Sequence, residues 1–120
     1  MDIQTYYGTM NKAGGYFRND ILLTFQVFED EELTIKKDIT GLDFTFTVRD
    51  RYDSAVALIQ KTVGAGITLT NPTNGIGTID LTRTDLTIDT GVYLCDLEME
   101  EGGAFYTIFV KGFIVEWSVT

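Results

Sequence analysis

Hydrophobic and polar positions alternate with period two along much of this chain, and that period predicts strands. Leu42, Phe44, Phe46 and Val48 alternate with Asp43, Thr45, Thr47 and Arg49, the pattern of a strand with one face buried. Ile21 to Phe28 sets Ile21, Leu23, Phe25 and Val27 on one face. Val92 to Glu100 sets Tyr93, Cys95, Leu97 and Met99 against Asp96, Glu98 and Glu100. Ala55 to Val63 reads as a further strand, although its Ala, Leu, Gln and Lys also suit a helix. Ile67 to Thr70 is short and extended, and Ile76 to Leu81 is a strand. Phe105 to Val119 is a long last strand, expected to bend or bulge at Gly112, where a side chain is absent.

Breaks in the period fall at turn signals. Glu29-Asp30-Glu31-Glu32 interrupts as an acidic loop. Gly64-Ala65-Gly66, the Asn71 to Gly75 stretch ending in Asn-Gly, and Glu101-Gly102-Gly103 read as turns. Thr82 to Asp89 is expected as a crossover with one helical turn and Leu86 pointing inward. About seven short strands separated in this way form the pattern of an antiparallel β-sandwich. The expected organisation is a sandwich over residues 20–120, preceded by an extended arm over residues 1–19. The arm has no steady period, and a short edge strand within it is an open alternative. Its Tyr6, Tyr7, Tyr16 and Phe17 are candidate partner-contacting residues, since aromatics are enriched in interface cores; a plain tail fits them equally.

Composition sharpens this picture. Twelve glycines against one proline among 120 residues, 44% of them hydrophobic, match strands joined by tight turns in one globular domain. The formal charge of -9 argues against nucleic acid and anionic membranes, which are bound with Lys and Arg. No apolar run approaches the length of a membrane span. The N-terminal stretch lacks the basic-then-apolar pattern of a secretory signal, so a cytosol, or a particle assembled in one, is the expected setting.

Candidate chemistry is sparse. The chain has no histidine, which removes the usual general base and the commonest metal ligand. Cys95 is the one cysteine, so no internal disulfide forms, and its inward position marks it as an inert core thiol. Carboxylate pairs are the one catalytic possibility that remains, and Asp96, Glu98 and Glu100 share a strand face with Glu101 in the turn beyond, an arrangement that a solvated sheet face explains. A calcium site at these residues or at Glu29 to Glu32 lacks the alternating oxygen-ligand loop of an EF-hand. Gly64-Ala65-Gly66 has no lysine or following helix with which to hold phosphate. No catalytic residue, metal or cofactor is expected.

Two resemblances carry the reading further. Asp89-Thr90-Gly91-Val92-Tyr93-Leu94-Cys95 resembles the entry to strand F of immunoglobulin variable domains, where the Tyr closes a tyrosine corner. This implies an immunoglobulin-like two-sheet sandwich with Tyr93 at its corner. A second cysteine is missing, and Trp117 lies near the end of the chain instead of on a central strand, so an antibody-like function does not follow. From Arg18 onward the chain is similar to immunoglobulin-like structural domains of tailed bacteriophages, such as the N-terminal domain of baseplate upper proteins and related neck and tail proteins. The similarity rests on Arg18-Asn19-Asp20 before a strand, Asp38-Ile39-Thr40-Gly41, and the strand Phe44 to Arg49. It continues through Gly66-Ile67-Thr68, Gly77-Thr78-Ile79-Asp80-Leu81 and Gly91 to Leu97.

That resemblance implies a non-catalytic virion protein of tail, baseplate, neck or capsid. It would be assembled in the host cytoplasm and contact other phage structural proteins as a homo-oligomer or symmetric assembly. The alternative is a carbohydrate- or receptor-binding module on a phage tip or bacterial surface. That module would use Tyr52, Tyr106 or Trp117, with or without calcium.

Overall fold

The computed structural model describes residues 4–53 and 55–117. Residues 1–3 of the expected arm, Ser54, and residues 118–120, which include the end of the last expected strand, lie outside them. The described chain is all-β. Its nine strands are β1 (Tyr7–Met10), β2 (Gly14–Tyr16), β3 (Ile21–Phe28), β4 (Asp43–Arg49), β5 (Ala57–Val63), β6 (Gly66–Asn71), β7 (Ile76–Leu81), β8 (Gly91–Glu101) and β9 (Ala104–Glu116). One 3-10 turn, Pro72–Asn74, joins β6 to β7, and no α-helix occurs among the described residues. The strands form one curled mixed sheet in the order β1-β3-β7-β6-β5-β4-β8-β9-β2.

Alternation builds the core. Leu23, Phe25 and Val27 of β3, Phe44, Phe46 and Val48 of β4, and Cys95, Leu97 and Met99 of β8 are all buried. β3 and β4 are separated by β7, β6 and β5 in the sheet, yet the rings of Phe25 and Phe44 lie 5.3 Å apart. The sheet therefore folds over its own apolar face. Leu86, fully buried, closes one end from a turn in which its N–H donates to the Thr82 carbonyl at 3.1 Å. β5 is a strand despite its helix-favouring residues. Pairing with β4 from Thr45↔Thr62 to Arg49↔Ala57 satisfies its backbone, and that tertiary pairing overrides local propensity.

The bulge in β9 falls at Ile108, where the sequence suggested Gly112. Leu97 faces Phe109 while Glu98 faces Thr107, leaving Ile108 as the extra residue; Gly112 pairs in register with Leu94. The physical reason is packing. Ile108 and Phe109 are consecutive and both buried, and only a bulge turns two neighbouring side chains to one face.

The segment read as an arm lies in the sheet at both of its edges. Residues 7–10 pair antiparallel with β3, from Tyr7↔Phe28 to Met10↔Phe25. Residues 14–16 pair parallel with β9, from Gly14↔Ile114 to Tyr16↔Glu116. The same segment tracks β9 along its length: the rings of Tyr6 and Tyr106 are 4.9 Å apart, and those of Phe17 and Trp117 are 4.8 Å apart. Small residues permit this approach. A Cβ on Gly8 would stand 2.2 Å from Ile108 Cγ2, and one on Gly14 would stand 2.3 Å from the Ile114 carbonyl oxygen.

Gly8 and Gly112 thus differ sharply, since a Cβ on Gly112 meets nothing closer than Val92 Cγ1 at 4.0 Å. Gly8→Val is expected to destabilise the fold by about 1–3 kcal/mol through overpacking. Gly112→Val is expected to be neutral or to stabilise by up to about 1 kcal/mol, since glycine weakens a strand interior. Urea denaturation of the two variants beside the parent measures both.

Candidate functional site

At the β8–β9 hairpin end, two segments distant in the chain converge on Glu101. The hairpin turns on Gly102 and Gly103, whose φ values of 60° and 83° suit a two-residue primed turn. Glu101 accepts a hydrogen bond from the Tyr6 hydroxyl at 3.1 Å, and Lys37 Nζ lies 2.9 Å from its other oxygen. The same ammonium sits 5.0 Å from the centroid of the Tyr6 ring. Hydrogen bonding to Lys37 holds the Glu101 carboxyl below the usual carboxylate range, against its partial desolvation and with help from the lysine charge and Tyr6. Burial disfavours the Lys37 ammonium, but its bond to Glu101, the Tyr6 phenol and the Glu101 charge outweigh this and raise its pKa.

At the opposite end the Tyr93 hydroxyl donates to the Asp89 carbonyl four residues upstream. Burial, and then the charges of Asp89 and Asp50, push the phenol's pKa up, so it remains a donor at neutral pH. Two residues on, Cys95 is buried, and desolvation pushes its thiol up to about 11. The thiolate needed for nucleophilic or redox chemistry is therefore scarce near neutrality.

The aromatics singled out from the sequence fall into separate pairs, Tyr6 with Tyr106 and Phe17 with Trp117, rather than into one group. Tyr6 is buried and its ring and hydroxyl are engaged internally. Tyr7 is half-buried at the start of β1. Tyr16 is exposed with Lys12 Nζ 4.5 Å over its ring, and Phe17 packs on Trp117. Tyr106 is half-buried, whereas Tyr52 and Trp117 are exposed by 91% and 65%. Tyr52 borders an open cleft of about 290 Å³ that is also lined by Asp50, Arg51, Thr90 and Tyr93.

The outward carboxylates of β8 diverge in their partners. Arg49 Nε lies 3.3 Å from Asp96 Oδ2; Glu98 stands beside Thr45 and Glu100 beside Asp43. In the acidic loop, Asp30 accepts from the backbone N–H groups of Thr34 and Ile35 at 2.9 and 2.8 Å. Those bonds hold the loop closed. Among the described residues no three Asp, Glu or Cys side chains group to hold a metal ion.

One group went unremarked in the sequence. Val92, Leu94, Val110 and Ile114 are exposed on the outer face of β8 and β9. Its signal was present: Val92-Tyr93-Leu94-Cys95 and Phe113-Ile114-Val115 are continuous apolar runs, which place apolar side chains on both faces of a strand.

Comparisons with known proteins bear on the fold alone. No protein-family model matches the chain, and no curated protein matches it. An endo-β-1,4-mannanase structure from Thermotoga petrophila is similar at a TM-score of 0.54 and 19% identity, covering 98% of this chain and 21% of that one. The chain thus spans about a fifth of that enzyme. A chain from a structure describing T cell specificity and activation by the bacterial superantigen toxic shock syndrome toxin-1 is similar at a TM-score of 0.51 and 9% identity. There the coverage is 92% of this chain and 98% of that one. Both likenesses accord with an all-β domain.

Two measurements test the contacts at the ends of the fold. Tyr93→Phe keeps the ring and removes the bond to Asp89, so a loss of about 0.5–1.5 kcal/mol is expected in urea denaturation. Because the Glu101 pKa is lowered by folding, its contribution is present above the unfolded carboxylate pKa and is lost as pH falls through the carboxylate range. Thermal melts from pH 6 to pH 3 are expected to show the parent losing its advantage over Glu101→Gln, an advantage of up to about 1 kcal/mol at pH 6.

Proposed function

We propose that this chain is a non-catalytic, immunoglobulin-like structural protein of a tailed-phage virion that works through protein–protein contacts. The observation that carries the reading is where the phage-like motifs fall. Asp38-Ile39-Thr40-Gly41 makes the turn into β4, with Thr40 N–H bonded to Asp38 at 3.0 Å and Ile39 buried. Gly66-Ile67-Thr68 opens β6, Gly77 to Leu81 lies in β7, and Gly91 to Leu97 opens β8. Asp20 accepts a hydrogen bond from the Arg83 N–H at 2.6 Å, tying the start of β3 to the crossover. Each motif thus falls on a turn, a strand opening or a strand of this fold, which supports the reading.

The immunoglobulin-like part of the reading has its own support. β5 and β6 are joined at only two positions, Thr62↔Gly66 and Val63↔Ile67. Parted there, the strand order gives one layer of β1-β3-β7-β6 and another of β5-β4-β8-β9-β2, which parallels the layers of immunoglobulin domains. The Tyr93–Asp89 bond is the expected corner of such a sandwich. Mass spectrometry of purified virions tests the role: the chain is expected among the structural proteins. Its absence while the others are detected overturns the proposal.

The cleft beside Tyr52 favours a second reading, a carbohydrate-binding module, because an exposed ring next to Asp50 and Arg51 is one way to hold a sugar. A glycan array separates the two. Binding that disappears in Tyr52→Ala supports the carbohydrate reading; no response supports the structural one.

A further inference from the structure

Val92 stands directly opposite Ile114, and Leu94 opposite Gly112. With Val110 beyond, these apolar side chains surround the bare position of Gly112 on the outer sheet face. Their exposures are 45% for Val92, 36% for Leu94, 64% for Val110 and 46% for Ile114. Scattered apolar residues on a surface need no explanation, but a contiguous set marks an interaction site. Gly112 leaves a depression at its centre, because the nearest atom to a Cβ there is 4.0 Å away.

Toward the hairpin the same face turns acidic. Asp96 is held by Arg49, but Glu100 faces Asp43 directly across the strand pair, and like charges so placed repel. Glu98 stands on the same face between Thr45 and Thr107. Glu98 and Glu100 follow Leu94 by four and six residues, or about 13 and 20 Å along an extended strand.

We propose that this outer face of β8 and β9 docks a segment of another protein. The segment presents an apolar side chain to the Gly112 depression and Lys or Arg side chains to Glu98 and Glu100. The proposal rests on the reading of the domain as one that works by protein contacts, and it names the surface and the partner's chemistry. Charge decides against a second copy as occupant. A copy brings its own acidic strip and a formal charge of -9, whereas a basic partner relieves the repulsion between Glu100 and Asp43.

The test is a nuclear magnetic resonance titration of the labelled full chain with a synthetic extended peptide. The peptide has valines at alternate positions in one half and lysines at alternate positions in the other; the control carries glutamates in place of the lysines. Amide shifts are expected to concentrate on β8 and β9 around Gly112, Glu98 and Glu100, and to be absent with the control. The paired substitutions Leu94→Ser with Val110→Ser, and Glu98→Lys with Glu100→Lys, are each expected to weaken binding about tenfold or more, a loss of about 1.4 kcal/mol or greater. All four positions are solvent-facing, and unchanged melting curves show that the variants fold.

Shifts scattered over carboxylates elsewhere, such as the Glu29 to Glu32 loop, overturn the proposal by reducing it to general charge attraction. Unchanged binding by the Leu94/Val110 variant does the same. Self-association of the peptide-free chain in sedimentation, lost in that variant, overturns it in favour of a second copy. Finding the chain in virions while the titration fails removes this surface and leaves the structural role standing.

Discussion

Backbone hydrogen bonding at the two edges of the sheet is the constraint to which the rest of this fold answers. A curled sheet whose edges do not meet leaves rows of unpaired N–H and C=O groups and an opening into its core. Here one short segment serves both margins, pairing with β3 through residues 7–10 and with β9 through residues 14–16. Glycines at 8 and 14 bring its backbone close to β9, and Phe17 on Trp117 finishes the line. The bulge at Ile108 belongs to the same arrangement, because it turns Ile108 inward beneath Gly8. The core, the hairpin contact at Glu101 and the burial of Tyr6 all follow from that closure.

Much of the fold was legible because period-two alternation reports directly on which face of a strand is buried. β3, β4, β7 and β8 stand close to where the alternation put them, and Leu86 is inside as its isolated apolar position suggested. The N-terminal segment was legible only as far as a short edge strand; its pairing at both margins was not. Its strands are three and four residues long, too short to show a period, and it is rich in glycine because it is pressed against another backbone. Only the partner strand, distant in sequence, explains it. The position of the bulge was hidden for a related reason. Gly112 looked like the irregularity, whereas Ile108-Phe109 carried the real signal as two apolar neighbours in an otherwise alternating strand.

Less of the interaction surface could be read. Tyr6 looked available and is buried, because aromatic character alone does not distinguish a residue that meets a partner from one that meets its own chain. The apolar face of β8 and β9 was written in runs such as Val92 to Cys95, but which half of a run faces water depends on the register of the neighbouring strand. The Glu101 contact with Tyr6 and Lys37 was invisible to spacing, since its members come from three segments far apart in the chain. The inward position of Cys95 was easier to read, because the alternation of β8 puts it on the buried face.

The joining of Gly14 to Ile114 also governs how the protein is made. These partners are a hundred residues apart, so the entropy of closing that loop is spent before the contact returns anything. On the ribosome, the early segment has β3 to pair with but waits for β9 before its second half has a place. Through that interval the apolar interior is open along one side, and the nascent chain is at its most vulnerable to association with its neighbours. β9, the last of the described strands to be synthesised, is therefore the one that gives the second half of this segment its place.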